Sequence, residues 1–253
     1  YLLLIGLSII VNYLIGTRIS RLVMAADGPT RHSKMLLLIG ILLNVAALVY
    51  FKYTDFLIET LNTLTDSQLA SLNLLLPLGI SFFTFTQIAY LVDCGRSGVR
   101  DYSLVNYTLF VTFFPHLIAG PIVHHKDLMP QFASTSNLRF RLDNFSLGLF
   151  VFAIGLVKKV LIADNLGQWA NAGYASEQTL TMIEAWSTSL LYSFQLYFDF
   201  SGYSDMAIGL GRLFGFYFPE NFRYPYMAES ITDFWRRWHI SLSTWFRDYV
   251  YIP

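Results

Sequence analysis

Apolar residues fill long stretches of the chain, and the lengths of these stretches predict helices that cross a membrane. The apolar runs occupy 1–17, 35–51, 72–92, 145–163, 180–198 and the shorter 204–218. A helix needs roughly 20 apolar residues to cross a bilayer. The pattern therefore predicts an all-α, multi-pass transmembrane protein.

A further apolar run, 103–123, ends in a sequence that cannot continue as a straight helix. Pro115, Gly120 and Pro121 interrupt it, because proline lacks a backbone donor and clashes with the preceding turn. Non-helical backbone at membrane depth needs protein or water around it. The run predicts a re-entrant loop, with a full crossing as the alternative.

Charges between the apolar runs predict the orientation of the chain. Segment 18–34 has one acid, Asp27, against Arg18, Arg21, Arg31 and Lys34. The positive-inside rule places this segment in the cytoplasm. The acidic segment 52–71 is then expected outside, and Arg96 and Arg100 mark a return to the inside.

Two features inside the later runs bear on helix packing. Lys158 and Lys159 lie near one end of their run, and we expect them to snorkel toward lipid headgroups. Gly209, Gly211 and Gly215 allow a neighbouring helix or a ligand to approach closely.

Composition agrees with a membrane protein and excludes some classes of function. Hydrophobic residues make up 55% and charged residues 13%, against about 25% charged in average globular chains. The mean hydropathy is +0.47. The net charge is zero, so no nucleic-acid partner is expected. The single cysteine, Cys94, excludes an internal disulfide, and the sequence shows no zinc-binding pattern.

Segment 231–253, ITDFWRRWHISLSTWFRDYVYIP, concentrates tryptophan and charge beside the predicted spans. As a single helix, it would place on one face Phe234, Trp238, Ser241 and Trp245. Its other faces would carry Arg236, His239, Ser243 and Arg247. No face is purely apolar, so we expect a helix at the membrane interface or folded into a protein-lined cavity.

The same segment resembles the signature of the membrane-bound O-acyltransferase family. The likeness is to the bacterial branch that includes the alginate O-acetylation membrane protein and the D-alanyl transfer protein of teichoic acids. Two further stretches strengthen the likeness: FFPHLIAGPIVHHKDLMPQF at 113–132 and YFDFSGYSDMAIGLGRLFGFYFPENFRYPY at 197–226. The resemblance implies re-entrant or interfacial helices around a central chamber. It implies one acyltransferase domain over 1–253, expected to be a fragment lacking the N-terminal end and the C-terminal helices.

His239 is the candidate catalytic residue. Histidine titrates near neutral pH and can accept a proton from a hydroxyl. The resemblance places His239 where the family carries one of its two functional polar residues. The second and principal histidine is expected beyond residue 253.

Neighbouring cations and tryptophans are candidates for binding or supporting the donor. Arg236, Arg237 and Arg247 could bind its phosphates through bidentate hydrogen bonds, or anchor the helix to lipid phosphate. Asp233 lies one turn before Arg237 and is placed to pair with it. Trp235 and Trp238 are either packing residues or donor supports.

Asp199, Tyr203 and Asp205 are candidates for lining the chamber, as the resemblance implies for their stretch. A carboxylate beside an apolar span must be paired or reach a wet cavity. Arg212, two helical turns after Asp205, is its expected partner.

The other histidines are expected to be structural or solvated. His32 lies in a basic loop, and His116 is assigned a structural role. His124 and His125 form, with Lys126, a predicted solvated basic loop rather than a metal site, since two adjacent histidines do not define a ligand set.

The resemblance implies a membrane O-acyltransferase of the bacterial cytoplasmic membrane. It would move acetyl from acyl-CoA or an acyl-carrier thioester, with no bound cofactor or metal. The acceptor would be a hydroxyl of an extracytoplasmic polysaccharide such as alginate, or a periplasmic acetyltransferase partner. A non-catalytic scaffold for that partner and a transporter are the alternatives, although transporters usually show inverted repeats.

Overall fold

A computed structural model describes residues 2–98, 103–117, 120–134, 137, 139–176 and 179–252. These residues form helices, and no strand occurs among them, which confirms the predicted all-α class. Arg100, one of the charges used for orientation, lies outside the described residues. The chain divides into two compact units, Tyr1–Ile118 with His124–Met129, and Ala119–Val123 with Pro130–Pro253.

The helices before residue 140 have the following bounds: α1 Leu2–Ala25, α2 Arg31–Thr65, α3 Ile80–Ser97, α4 Leu104–Thr112, α5 Phe114–Leu117 and α6 His125–Ala133. Thr30 fixes the start of α2 through a capping box. Its Oγ1 accepts from Ser33 N at 3.1 Å, and Ser33 Oγ accepts from Thr30 N at 2.9 Å. These bonds satisfy backbone donors that a helix start otherwise leaves unpaired.

Buried amides connect the first three helices. Asn44 Nδ2 on α2 donates to Asn12 Oδ1 on α1 at 2.6 Å, and Asn12 Nδ2 donates to Gln87 Oε1 on α3. Ser8 Oγ also donates to Gln87 Oε1, at 2.9 Å. Hydrogen bonds of this kind join helices in apolar surroundings, where the hydrophobic effect between them is weak.

Helices α2 and α3 differ from the predicted spans. Helix α2 continues to Thr65, so much of the predicted outer segment 52–71 is helical. Helix α3 begins only at Ile80, and the predicted span 72–92 is wrong over 72–79. Pro77 and Gly79, whose φ is 71°, account for the late start, since both interrupt a helix.

Three helices within the described ranges are both long and apolar enough to cross a membrane: Leu2–Ala25, Arg31–Thr65 and Leu142–Tyr174. Their length and apolar composition support the predicted multi-pass arrangement. Between them, α4 ends at Thr112 and α5 covers only Phe114–Leu117. The predicted break in this region is confirmed, and re-entry stays a prediction.

The second unit is built on two long packed helices. In the first, α7 Leu142–Leu156 runs through a π-helical segment, Val157–Ala163, into α8 Asp164–Tyr174. The second is α9, Met182–Leu213. Short elements follow: a 3₁₀ turn Pro225–Met227, α10 Ile231–Arg237, α11 Ile240–Phe246 and a π-helical segment Arg247–Tyr251.

Glycines bring α7 and α9 into backbone contact. A Cβ added at Gly155 would lie 2.6 Å from Gly202 O, and one added at Gly202 would lie 2.8 Å from Gly155 O. One heptad away, a Cβ at Gly209 would meet Phe152 N at 2.6 Å. Small residues at such crossings let helices pack at short range, so the predicted role of Gly209 in close helix packing is confirmed.

Gly202→Ala should destabilise the protein by about 1–3 kcal/mol, because the added methyl group cannot be accommodated between two backbones. Gly6→Ala is the matched control, since a Cβ there meets nothing within 4 Å. Thermal unfolding of the full-length protein in detergent measures both. Equal midpoints for the two variants would contradict the close crossing.

Candidate active site

The segment around His239 is a broken helix. Helix α10 ends at Arg237, Trp238 is extended, and His239 adopts φ 45° and ψ 53° in the left-handed region before α11 begins. This conformation costs a non-glycine residue roughly 1–2 kcal/mol, so surrounding contacts must hold it. The predicted single helix over 231–253 is therefore wrong.

The break also redistributes the predicted faces. Phe234 belongs to α10, whereas Ser241 and Trp245 lie on α11 and are both buried. The common face predicted for these residues does not exist, because the turn at His239 changes the chain direction.

Asn221 supplies the contacts that hold the turn. Its backbone O accepts from Ile240 N at 3.0 Å, and its Oδ1 accepts from Ser241 N at 3.1 Å and from Ser241 Oγ at 2.9 Å. Ser241 Oγ in turn accepts from Ile122 N at 3.0 Å. Asn221 and Ser241 are 1% and 5% exposed, so these bonds are shielded from water and geometrically restrictive.

Asn221 is a site residue that the sequence alone did not indicate. It lies in the ENFRYPY part of 197–226, whose residues pointed only to the family resemblance. A buried asparagine next to a proline-rich aromatic stretch gives no local sign of a partner 20 residues later.

Aromatic rings enclose the imidazole of His239. Phe200 on α9 contacts it edge to face, with ring centroids 4.6 Å apart, and Phe222 stacks at 6.3 Å. Trp238 packs on Phe222 at 5.1 Å and on Phe234 at 5.6 Å. These contacts pack Trp238 beside the histidine and fix the orientation of the imidazole ring. Donor support by Trp238 stays a prediction.

A cavity of about 610 Å³ opens beside this histidine, within the range of small-molecule sites. Its walls are Trp235, Trp238, His239, Leu242, Ser243, Phe246 and Tyr251. Most of this surface is aromatic or aliphatic, with few polar groups. Such a lining favours apolar ligand groups and orients a ligand through a small number of polar contacts.

His239 is neutral at physiological pH. Helices α10 and α11 lie outside the three helices that are long and apolar enough to cross a membrane. Burial lowers the pKa of His239 to about 4, because it disfavours the charged imidazolium. Its Nε2 is buried and has no hydrogen-bond partner in the described part of the chain. A neutral imidazole whose nitrogen lacks a partner can accept a hydrogen bond from a ligand hydroxyl or donate one to it.

The three candidate arginines are not equivalent. Arg237 Nε pairs with Asp233 Oδ2 at 2.9 Å, which confirms the predicted helical pair. Arg247 pairs with Asp248 at 2.7 Å. Arg236 is exposed and forms no ion pair with any described residue. Binding of the donor by any of the three stays a prediction, and Arg236 has the least competition from a carboxylate.

The carboxylates of α9 pair with the lysines of the π-helical segment. Lys158 Nζ lies 2.6 Å from Asp205 Oδ2, and Lys159 Nζ lies 2.7 Å from Asp199 and 2.5 Å from Asp164. Both lysines therefore pair with carboxylates, which the sequence analysis did not predict, and their snorkelling to the headgroups stays a prediction. The π-helix widens the turn that presents both lysines.

Arg212 is not the partner predicted for Asp205. Its guanidinium instead lies 3.7 Å from the centroid of the Tyr217 ring, in a cation–π contact. Tyr203 has Lys159 Nζ 5.5 Å from its ring centroid. The assignment of Asp199, Tyr203 and Asp205 to a chamber wall stays a prediction.

Lys158→Met should destabilise the protein by about 1–3 kcal/mol, because Asp205 would lose its ion-pair partner beside an apolar span. The double variant Lys158→Met/Asp205→Leu should recover most of this loss. The exposed pair of Arg223 with Glu220 provides a control, since Arg223→Met should change stability by less than about 1 kcal/mol. A double variant no more stable than the single one would show that the pair is not coupled.

The predicted solvated loop at His124 and His125 is partly wrong. His125 is buried, and its Nδ1 lies 3.2 Å from Asp93 Oδ2 on α3. His116 is buried beside Phe110 and Phe113, at centroid distances of 6.4 and 6.1 Å, in keeping with a structural role. In the part of the chain that the structure covers, no three His, Cys, Asp or Glu side chains are grouped to hold a metal.

The sequence profile of the membrane-bound O-acyltransferase family matches residues 30–253. The chain belongs to this family. It is 46% identical over 276 residues to the peptidoglycan O-acetyltransferase of Helicobacter pylori, covering 99% of this chain and 51% of that protein.

Two other family members extend the comparison. The probable alginate O-acetylase AlgI of Pseudomonas aeruginosa is 46% identical over 257 residues, which cover 100% of this chain and 48% of that protein. The teichoic acid D-alanyltransferase of Bacillus subtilis is 31% identical over 182 residues, or 71% of this chain and 46% of that protein. The chain spans about half the length of the curated relatives it matches.

Proposed function

We propose that this chain is part of a membrane O-acyltransferase that moves acetyl from a thioester donor toward hydroxyls of an extracytoplasmic polysaccharide such as alginate. The observation that carries the proposal is the neutral, aromatic-enclosed His239 beside an apolar cavity. Relatives named as O-acetyltransferases support the acyl group and the class of acceptor. The donor is acyl-CoA or an acyl-carrier thioester, and no bound cofactor takes part.

His239 acts as the general base in this mechanism. Nε2 accepts the proton of the acceptor hydroxyl, and the oxygen forms a bond to the thioester carbonyl carbon. The carbon–sulfur bond then breaks, and the thiolate takes up the proton. The apolar lining limits hydrolysis by keeping water from the thioester.

The two substrates approach the site from opposite sides of the membrane. The donor enters from the cytoplasmic side and the acceptor, or a periplasmic acetyltransferase that completes the transfer, from the opposite side. Arg236 contacts donor phosphates or lipid phosphate, and both are anionic groups that guanidinium binds well.

Reconstitution of the full-length protein in vesicles tests the function. We expect labelled acetyl to be transferred from acetyl-CoA or acetyl-carrier protein to added glycan or to a co-purified partner. The rate of this transfer should exceed the rate of D-alanyl transfer from its own carrier. No transfer from any thioester, together with recruitment of a soluble acetyltransferase to the vesicles, would establish the scaffold instead. Vesicle uptake of a solute without acyl transfer would establish a transporter.

A further inference from the structure

A second cavity lies far along the sequence from His239, between α1 and α2. Its volume is about 490 Å³, and its walls are Tyr13, Leu14, Ile15, Thr17, Arg18, Arg21 and Leu36. All of these residues belong to the first compact unit. The cavity takes no part in the proposed acyl transfer.

The cavity has a basic end and an apolar end. On α1, Leu14, Thr17, Arg18 and Arg21 follow the spacing i, i+3, i+4 and i+7, so they share one face of the helix. Arg21 is four residues and Arg18 seven residues before Ala25, where α1 ends. At 1.5 Å per residue, the Cα atoms of Arg21 and Arg18 lie about 6–10 Å from the helix end, and Leu14 lies farther from that end.

Both arginines are available to a ligand. Arg18 and Arg21 are exposed, and neither forms an ion pair or hydrogen bond with any residue in the described ranges. Between 18 and 34 the chain carries Asp27 as its only acid. Local charge therefore favours an anion at this end of the helix pair.

We propose that this cavity binds the headgroup of an anionic membrane phospholipid. Its phosphate lies between Arg18 and Arg21, where guanidinium groups donate paired hydrogen bonds, and the first part of its acyl chains lies on Leu14, Ile15 and Leu36. Both flanking helices are long and apolar enough to cross a membrane, so phospholipid is the anion at highest local concentration. Basic pockets between membrane helices bind such headgroups.

The test compares two lipids and two charge-matched variants of the full-length protein. Native mass spectrometry in detergent measures retention of phosphatidylglycerol and of phosphatidylcholine with identical acyl chains. We expect the wild type to prefer phosphatidylglycerol by tenfold or more. Arg18→Gln/Arg21→Gln should lose roughly ten- to thirtyfold in phosphatidylglycerol affinity, whereas Arg31→Gln/Lys34→Gln, which removes equal charge from the same segment outside the cavity, should retain the preference.

Three results would overturn the proposal. Equal retention of both lipids by the wild type would show that the cavity does not recognise the headgroup. Equal losses of phosphatidylglycerol affinity in both double variants would show only diffuse attraction by the basic segment. Displacement of phosphatidylglycerol by millimolar inorganic phosphate would identify a soluble anion as the ligand. If Arg18→Gln/Arg21→Gln fails to insert, Arg18→Lys/Arg21→Lys keeps the charge and should still prefer phosphatidylglycerol, and loss of the preference in that inserted variant would also refute the site.

Discussion

His239→Ala in the full-length protein should lower the rate of acyl transfer by about 10²- to 10⁴-fold, the usual contribution of a positioned acid or base. The expected loss is in kcat, with the KM of the thioester donor little changed, because the imidazole acts on the acceptor proton. Steady-state transfer of labelled acetyl in reconstituted vesicles measures both quantities.

Two variants control this experiment. His239→Gln keeps a polar side chain of similar size but cannot take a proton at neutral pH, so it should be nearly as slow as alanine. His32→Ala removes an exposed histidine from the basic segment and should leave transfer unchanged. A His239→Gln variant with wild-type activity would show that the residue serves only packing.

Asn221→Ala should lower transfer by about tenfold or more, because it removes the oxygen that accepts from Ser241 N and Ser241 Oγ and releases the left-handed turn at His239. Leaving buried donors unpaired also costs about 1–3 kcal/mol of stability. Activity measured on inserted protein, corrected for its folded fraction by size-exclusion chromatography, separates the two effects.

Asn221→Asp distinguishes positioning from general stability. Asn221 Nδ2 has no hydrogen-bond partner among the described residues, so an aspartate oxygen can keep both contacts to Ser241. We expect Asn221→Asp to retain more transfer than Asn221→Ala at equal folded fraction. Equal activity of the two variants would contradict a role for this oxygen in orienting His239.

Local signals predicted much of the fold. The apolar runs near residues 1–17, 35–51 and 145–163 correspond to α1, α2 and α7 with its π-helical extension, because span length depends on local composition alone. The pair Asp233–Arg237 was also predictable, since its partners lie one helical turn apart.

The missed features depend on contacts between distant residues. Lys158 and Asp205 are 47 residues apart, and the glycine crossing of α7 and α9 that joins them cannot be recognised from either helix alone. The turn at His239 depends on Asn221 rather than on a glycine or proline in its own segment. His125 is buried against other parts of its unit, with Asp93 on α3 3.2 Å away, and two adjacent histidines do not indicate such a distant contact.

In the proposed mechanism, the cavity beside His239 holds the reacting groups. A cryo-EM structure of the full-length protein with a non-hydrolysable acetyl thioester analogue and an acceptor fragment tests this placement. We expect the thioester carbonyl to lie against Trp238 and an acceptor hydroxyl to lie about 3 Å from His239 Nε2. Both ligands bound in a cavity that His239 does not line, with Nε2 still enclosed by Phe200 and Phe222, would contradict it.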